Sequence, residues 1–221
     1  MNHKYKLIIF DWDGTLCDSV TTISTCIQYA AKQQGLPVPS FAEASNIIGL
    51  GLKEAVSFLF PNADDQLIAG VVQSYSDYYR QKNAGPTDFF PHVLEVLAEL
   101  KQSGYLIAVA TGKSRAGLNR AFVASNIEHL FDSSRCADET ASKPDPLMLA
   151  ELLEKFEVTA DQALMVGDTE FDLDMAQRIN MPRLGVSYGA HAKDRLLKFD
   201  PIACIDCFSE IKEYIYKSIA Y

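Results

Sequence analysis

The chain reads as an α/β protein: a Rossmann-like parallel sheet core with helices on both faces, and an all-helical insertion after the first strand. Three observations predict this. Short apolar runs recur at Leu7-Ile8-Ile9-Phe10, Leu106-Ile107-Ala108-Val109-Ala110 and Leu164-Met165-Val166, each closing on a hydroxyl, a glycine or a carboxylate. From Pro91 onward, segments of helical spacing separate such runs, the alternation that builds parallel sheets with right-handed crossovers. Between about residues 18 and 85 only helical spacing remains.

Strands are predicted over residues 5–11, 105–111, 163–167, 183–187 and 202–206. The first ends on Asp11-Trp12-Asp13-Gly14-Thr15-Leu16, which brings two carboxylates to one strand tip. Like charges that close require a cation, a shared proton or a substrate that exploits the strain. In the insertion, Val20, Ile23, Ile27 and Ala31 keep helical spacing, as do Leu67, Val71, Tyr75 and Tyr78. Breaks fall at Gly35-Leu36-Pro37-Val38-Pro39, Gly49-Leu50-Gly51, Pro61-Asn62 and Gly85-Pro86. Asp18 and Ser19 stand where they would cap the first inserted helix. The second strand closes on Thr111-Gly112, Lys143 sits in Ser142-Lys143-Pro144-Asp145-Pro146, and the third runs into Gly167-Asp168-Thr169-Glu170-Phe171-Asp172. Asp172 has two readings, a cap for the helix beginning near Phe171 or a member of the site, and its spacing from Asp168 favours the site. Sheets of this kind collect ligands outside the carboxyl ends of their strands, where these motifs lie. There is no internal repeat and no low-complexity segment.

With 221 residues, 48% of them hydrophobic, the chain can bury a sizeable core. A formal charge of −9 argues against nucleic acid and against anionic membrane surfaces as partners, since both demand basic patches. No stretch approaches the roughly 20 apolar residues of a membrane span, and Met1-Asn2-His3-Lys4-Tyr5-Lys6 does not read as a signal peptide. Five scattered cysteines suit a reducing, cytoplasmic setting. Cys204-Ile205-Asp206-Cys207 has the spacing of metal and thiol redox sites, but no second pair or neighbouring histidine completes it, so small residues on a late strand are the simpler reading. Cys17 is read as a small buried residue, and His3, His92, His129 and His191 form no cluster and receive no role. Monomer and homodimer both stay open.

Residue types carry the chemistry. A carboxylate at a strand tip, Asp11, can attack phosphorus and form an acyl phosphate. Asp13 is placed to protonate the leaving alkoxide and then take a proton from water, work suited to a carboxyl group whose proton affinity is raised by a nearby carboxylate and partial burial. Thr111 offers a hydroxyl, Gly112 an uncrowded backbone N–H, and the Gly14 turn further amide donors. Lys143 supplies a positive charge for a phosphate. Asp11, Asp168 and Asp172 form an all-oxygen set suited to a hard octahedral cation, hence Mg²⁺.

The stretch from Asp11 to Ser19, D-W-D-G-T-L-C-D-S, resembles the first motif of the haloacid dehalogenase superfamily, and the three later motifs follow in its order over nearly the whole chain. The insertion is similar to the small cap of the phosphoglycolate phosphatase-like branch, which divides the chain into a core of residues 1–17 and 86–221 and a helical cap of 18–85. The resemblance implies Asp11 as nucleophile and metal ligand, and Asp13 as acid/base that also binds metal through its backbone carbonyl. It implies Thr111 and Lys143 as holders of the transferring phosphoryl group, Asp168 as metal ligand, and Asp172 in support of the metal or of Lys143. Trp12 stands where phenylalanine is commoner, and its contribution is expected chiefly through the backbone. The dehalogenases lack the second aspartate, so Asp13 argues against that activity. Gly49 and Gly51 read either as a helix–helix turn or as cap residues that meet substrate, and Lys53 and Arg115 are candidates for a second anionic group. The expected activity is Mg²⁺-dependent hydrolysis of a small phosphorylated metabolite such as 2-phosphoglycolate, with a sugar phosphomutase or a non-catalytic binding protein as alternatives.

Overall fold

The computed structural model describes residues 4–82, 85 and 87–216. Pro86 at the last predicted break, His3, and the two ends of the expected core lie outside the described residues. Six strands, β1 (Leu7–Phe10), β2 (Leu106–Thr111), β3 (Ser133–Cys136), β4 (Ala163–Gly167), β5 (Arg183–Val186) and β6 (Cys204–Ile205), form one sheet in the order β3-β2-β1-β4-β5-β6. Every pairing is parallel, and Ile9 sits opposite both Ala108 of β2 and Met165 of β4. Five strands lie where the apolar runs predict them, with β6 shorter than expected. The sixth, β3, is Ser-Ser-Arg-Cys at the sheet edge, where one side needs no partner strand and apolar periodicity is not required.

Strand alternation divides β1 between two cores. Ile8 and Phe10 join Ile107, Val109, Leu164 and Val166 under the helices α5 (Val93–Gln102), α6 (Arg115–Ser125) and α10 (Ile211–Ile215). Leu7 and Ile9 face Met148, Leu149, Leu152, Met175 and Ala176, from α7 (Leu147–Phe156) and α8 (Glu170–Gln177). The short α9 (Lys193–Leu196) follows β5. Because both faces of the sheet are covered, these strands read as continuous apolar runs rather than alternating ones.

Four helices, α1 (Val20–Gln33), α2 (Phe41–Ser45), α3 (Leu52–Leu59) and α4 (Asp65–Lys82), occupy the insertion. They bury two clusters of their own, one around Ile23, Ile27, Ile47 and Ile48 and one around Ala30, Val56, Ile68 and Val71. The chain leaves and re-enters the sheet layer through paired segments: the Asp18 amide donates to the Asp88 carbonyl (2.8 Å) and the Phe90 amide to the Leu16 carbonyl (3.0 Å). No helix among the described residues is long and apolar enough to cross a membrane.

Candidate active site

Three adjacent strands deliver the site. Asp11 follows β1, Thr111 ends β2 and Asp168 follows β4, so parallel pairing puts all three at one edge of the sheet. β1 lies where the order of connection reverses, the crevice in which such sheets bind ligands.

Lys143 is the electrostatic centre. Its side chain is wholly buried, with Nζ 2.8 Å from Asp11 Oδ1 and 2.7 Å from Asp172 Oδ1. Burial opposes its charge, but Asp11 and Asp172 outweigh burial and hold its pKa above the ordinary lysine value. Asp172 resolves its two readings by serving both. Its Oδ2 accepts from the Thr169 amide (3.0 Å) and hydroxyl (2.7 Å), closing a capping box at the start of α8, while Oδ1 accepts from Lys143.

Asp11, Asp168 and Asp172 are buried, and each brings an oxygen within 4.8 Å of the others. Asp168 Oδ1 accepts from the Thr15 hydroxyl and Oδ2 from the Ala190 amide, both at 2.8 Å. Burial, then Asp172, pushes its pKa up to about 7. Burial likewise raises Asp11 well above the carboxylate range, with Lys143 opposing, and Asp11 Oδ2 has no hydrogen-bond partner among the described residues. Three buried carboxylates against one lysine, with an orphaned oxygen in their midst, are the donor set a divalent cation fits.

Asp13 turns away from this cluster. Its Oδ2 is 2.8 Å from Lys113 Nζ and its Oδ1 accepts from the Ser19 hydroxyl at 2.7 Å, so its partners are donors and not the neighbouring carboxylate expected from the sequence. Lys113 Nζ also donates to the Tyr79 hydroxyl of α4 at 3.2 Å. Ser19 is the first flanking residue of α1 but makes no capping bond, because its helical backbone angles (φ −117°, ψ −4°) do not present the hydroxyl to the first-turn amides. Asp18 is exposed.

The glycines differ in role. Gly14 turns with φ +81°, and a Cβ there would lie 2.2 Å from Asp168 Oδ2, so only glycine fits. Its amide donates to the Cys17 carbonyl and is not a free phosphate donor as expected. At Gly112 a Cβ would meet the carbonyl oxygens of Leu50 and Gly49 at 2.4 and 2.6 Å, so the insertion rests directly on the end of β2. Gly49 lines the cavity beside Asp11 and Asp13, whereas the Gly51 amide donates to the Ser142 hydroxyl at 2.8 Å, docking the turn next to Lys143 outside that cavity.

Other expectations change. Arg115 is engaged by Glu139 and Ser134, Lys53 is exposed, and neither lines the cavity. Trp12 contributes more than backbone: its ring is 1% exposed and packs edge-on against Phe122 and Phe89, anchoring the loop that carries Asp11 and Asp13 from behind. Cys17 is buried, and burial with Asp13 pushes its thiol up to about 12. Cys204 and Cys207 are free thiols, the first on β6 and the second facing the Ser209 hydroxyl.

Sequence reasoning missed Lys113, Ser19, Thr15 and His191. Lys113 carried a signal, since it follows Thr111 and Gly112 at a strand end already assigned to the site. His191 carried none: its Nδ1 accepts from the Glu170 amide (3.0 Å) and Nε2–H therefore donates to the Asn46 carbonyl (3.2 Å), joining segments far apart in the chain. Burial, and then Arg195, lowers its pKa and keeps this ring neutral.

The sequence pattern of haloacid dehalogenase-like hydrolases matches residues 8–186, a span that includes Asp11, Asp13, Thr111, Lys143, Asp168 and Asp172. The chain belongs to that family. It is 34% identical over 209 residues to a protein of Dickeya dadantii named a probable phosphatase, IndB, covering 93% of this chain and 91% of that one. It is 30% identical to a phosphoglycolate phosphatase of Vibrio cholerae, over 96% and 98% of the two chains. A crystal structure of a predicted phosphoglycolate phosphatase from Haemophilus somnus superposes with a TM-score of 0.84 at 27% identity, over 96% and 98% of the chains. The chain is accordingly a phosphatase of the phosphoglycolate phosphatase-like branch of the family.

Proposed function

We propose that this phosphatase hydrolyses a small phosphomonoester through an aspartyl-phosphate on Asp11, using Mg²⁺, with α1–α4 (within residues 18–85) as a cap over the core. The observation that carries it is Lys143, buried between Asp11 and Asp172 and beside Asp168, at the edge of a cavity that Asp11, Asp13 and Thr111 line. Asp11, Asp168 and the backbone carbonyl of Asp13 would hold the cation, which would offset the charge of nucleophile and ester.

Lys143 holds the Asp11 carboxylate in place, with Asp172 and the α8 capping box fixing the lysine in turn. Asp11 attacks phosphorus, the bond to the leaving oxygen breaks, and Asp13 gives that oxygen its proton. In the second half Asp13 takes a proton from the water that attacks the acyl phosphate, which releases inorganic phosphate and restores Asp11. Ser19 and Lys113 keep Asp13 facing the cavity, and the Thr111 hydroxyl and Gly112 amide steady the phosphoryl oxygens. Contact of Gly49 and Leu50 with Gly112 excludes bulk water while the leaving group is protonated. The surroundings would be cytoplasmic.

The test is phosphate release from a panel of phosphorylated metabolites that includes 2-phosphoglycolate, with Mg²⁺ and with chelator, for the native chain and Asp11→Asn. Turnover that needs the metal and vanishes in Asp11→Asn is expected. No release from any ester sinks the proposal and directs attention to phosphoryl transfer between sugars.

A further inference from the structure

The catalytic edge opens into a cavity of about 130 Å³. Its floor is the core end: Asp11, Asp13, Thr111, Gly112 and Lys113. Its opposite wall comes from the insertion, with Ile23, Ile27 and Ile48 beside Leu52 and Ala55, and the ring of Tyr75. Among the described residues, the insertion places no charged side chain in this lining. The Tyr75 hydroxyl makes no hydrogen bond to another described residue, and Ser76 adds a second hydroxyl to the lining.

Two cations lie on the core side of the lining, across from the insertion. Lys113 faces Asp13 at 2.8 Å, with its charge matched by that carboxylate. Arg120, on α6, is exposed. A leaving group that carried a carboxylate away from the phosphorus and into the wall would meet aliphatic side chains, and burying an unpaired carboxylate against them is strongly unfavourable. An uncharged group of the same shape gains from the same burial.

We infer that the insertion selects phosphomonoesters of small uncharged alcohols, branched aliphatic or aromatic with at most a hydroxyl for Tyr75 or Ser76, over esters whose leaving group carries a carboxylate. This rests on the phosphatase reading and names the substrate class of the same site. Ile23, Ile27, Ile48 and Leu52 are its specificity-determining residues.

The experiment compares 2-phosphoglycolate with isobutyl phosphate, which keeps its skeleton but replaces the two carboxylate oxygens by methyl groups. Each competes against p-nitrophenyl phosphate turnover in Mg²⁺, a readout of fit that leaving-group reactivity does not disturb. Isobutyl phosphate is expected to compete at least about tenfold better, the discrimination typical of small apolar differences in a shaped pocket. Ser76→Arg, which places a cation on the same wall, is expected to move the ratio at least about fivefold towards 2-phosphoglycolate. Tighter or equal competition by 2-phosphoglycolate overturns the inference and leaves the phosphatase reading standing, and loss of that competition in Arg120→Gln would show where the carboxylate docks. An unmoved ratio in Ser76→Arg overturns the role of this wall. Absence of p-nitrophenyl phosphate turnover overturns the phosphatase reading and the inference with it.

Discussion

Replacing Lys143 by methionine keeps an unbranched stem as far as Cε and removes the one cation inside a cluster of three buried carboxylates. At 2.7 and 2.8 Å, each contact is worth roughly 6 kcal/mol of attraction at an effective dielectric constant near 20, most of which desolvation cancels in the intact pair. Truncation leaves the carboxylates buried and unpaired, a loss of about 3–5 kcal/mol. That is a large fraction of the roughly 5–15 kcal/mol that holds a domain together. The loss must also depend on pH. Asp168, with its pKa near 7, and Asp11, likewise raised by burial, hold protons in the folded state at pH values where the unfolded chain has released them. Stability in the absence of metal therefore falls as pH rises from about 4 through 7. Without Lys143, which opposes the rise at Asp11, folded-state proton affinity climbs further, so the gap between Lys143→Met and the native chain is wider at pH 8 than at pH 5. Urea unfolding in chelator at the two pH values measures it, and added Mg²⁺ should narrow the gap at pH 8. A gap below about 1 kcal/mol, or one equal at both pH values, would refute the charge-compensation argument.

Two further substitutions separate roles that the sequence leaves merged. Gly112→Ala drives a methyl group into the Leu50 and Gly49 carbonyls, so kcat/KM is expected to fall about tenfold or more while the far-ultraviolet spectrum is kept; an unchanged rate would mean that this contact plays no part in turnover. Ser19→Ala removes a buried donor to Asp13 but no helix cap, so kcat should drop several-fold with a change in Tm of only a few degrees, and a large thermal loss at native kcat would restore the capping role.

What could be read from the sequence were the features that local chemistry dictates. Leu7–Phe10 reads as a buried strand from its short apolar run and the turn-prone residues that end it, and acids at its tip are costly enough to imply a use. Asp11, Asp168 and Lys143 announced themselves because each stands beside an apolar run or in an ordered motif. Only tertiary structure could decide matters that depend on which side chains meet. Ser19 and Asp18 carry the same cap signal as Ser40, whose hydroxyl does close a capping box, and the difference is the backbone angle at Ser19 together with the nearness of Asp13. β3 has no apolar periodicity because an edge position does not demand it. The partners of Asp13 come from residues 19 and 113, and those of Asp168 from residues 15 and 190. Composition and spacing thus determine which groups must leave water and which reactive ones sit at strand ends. The pairing of those groups is set by topology, because contacts across such long stretches of chain leave no periodic trace in the sequence.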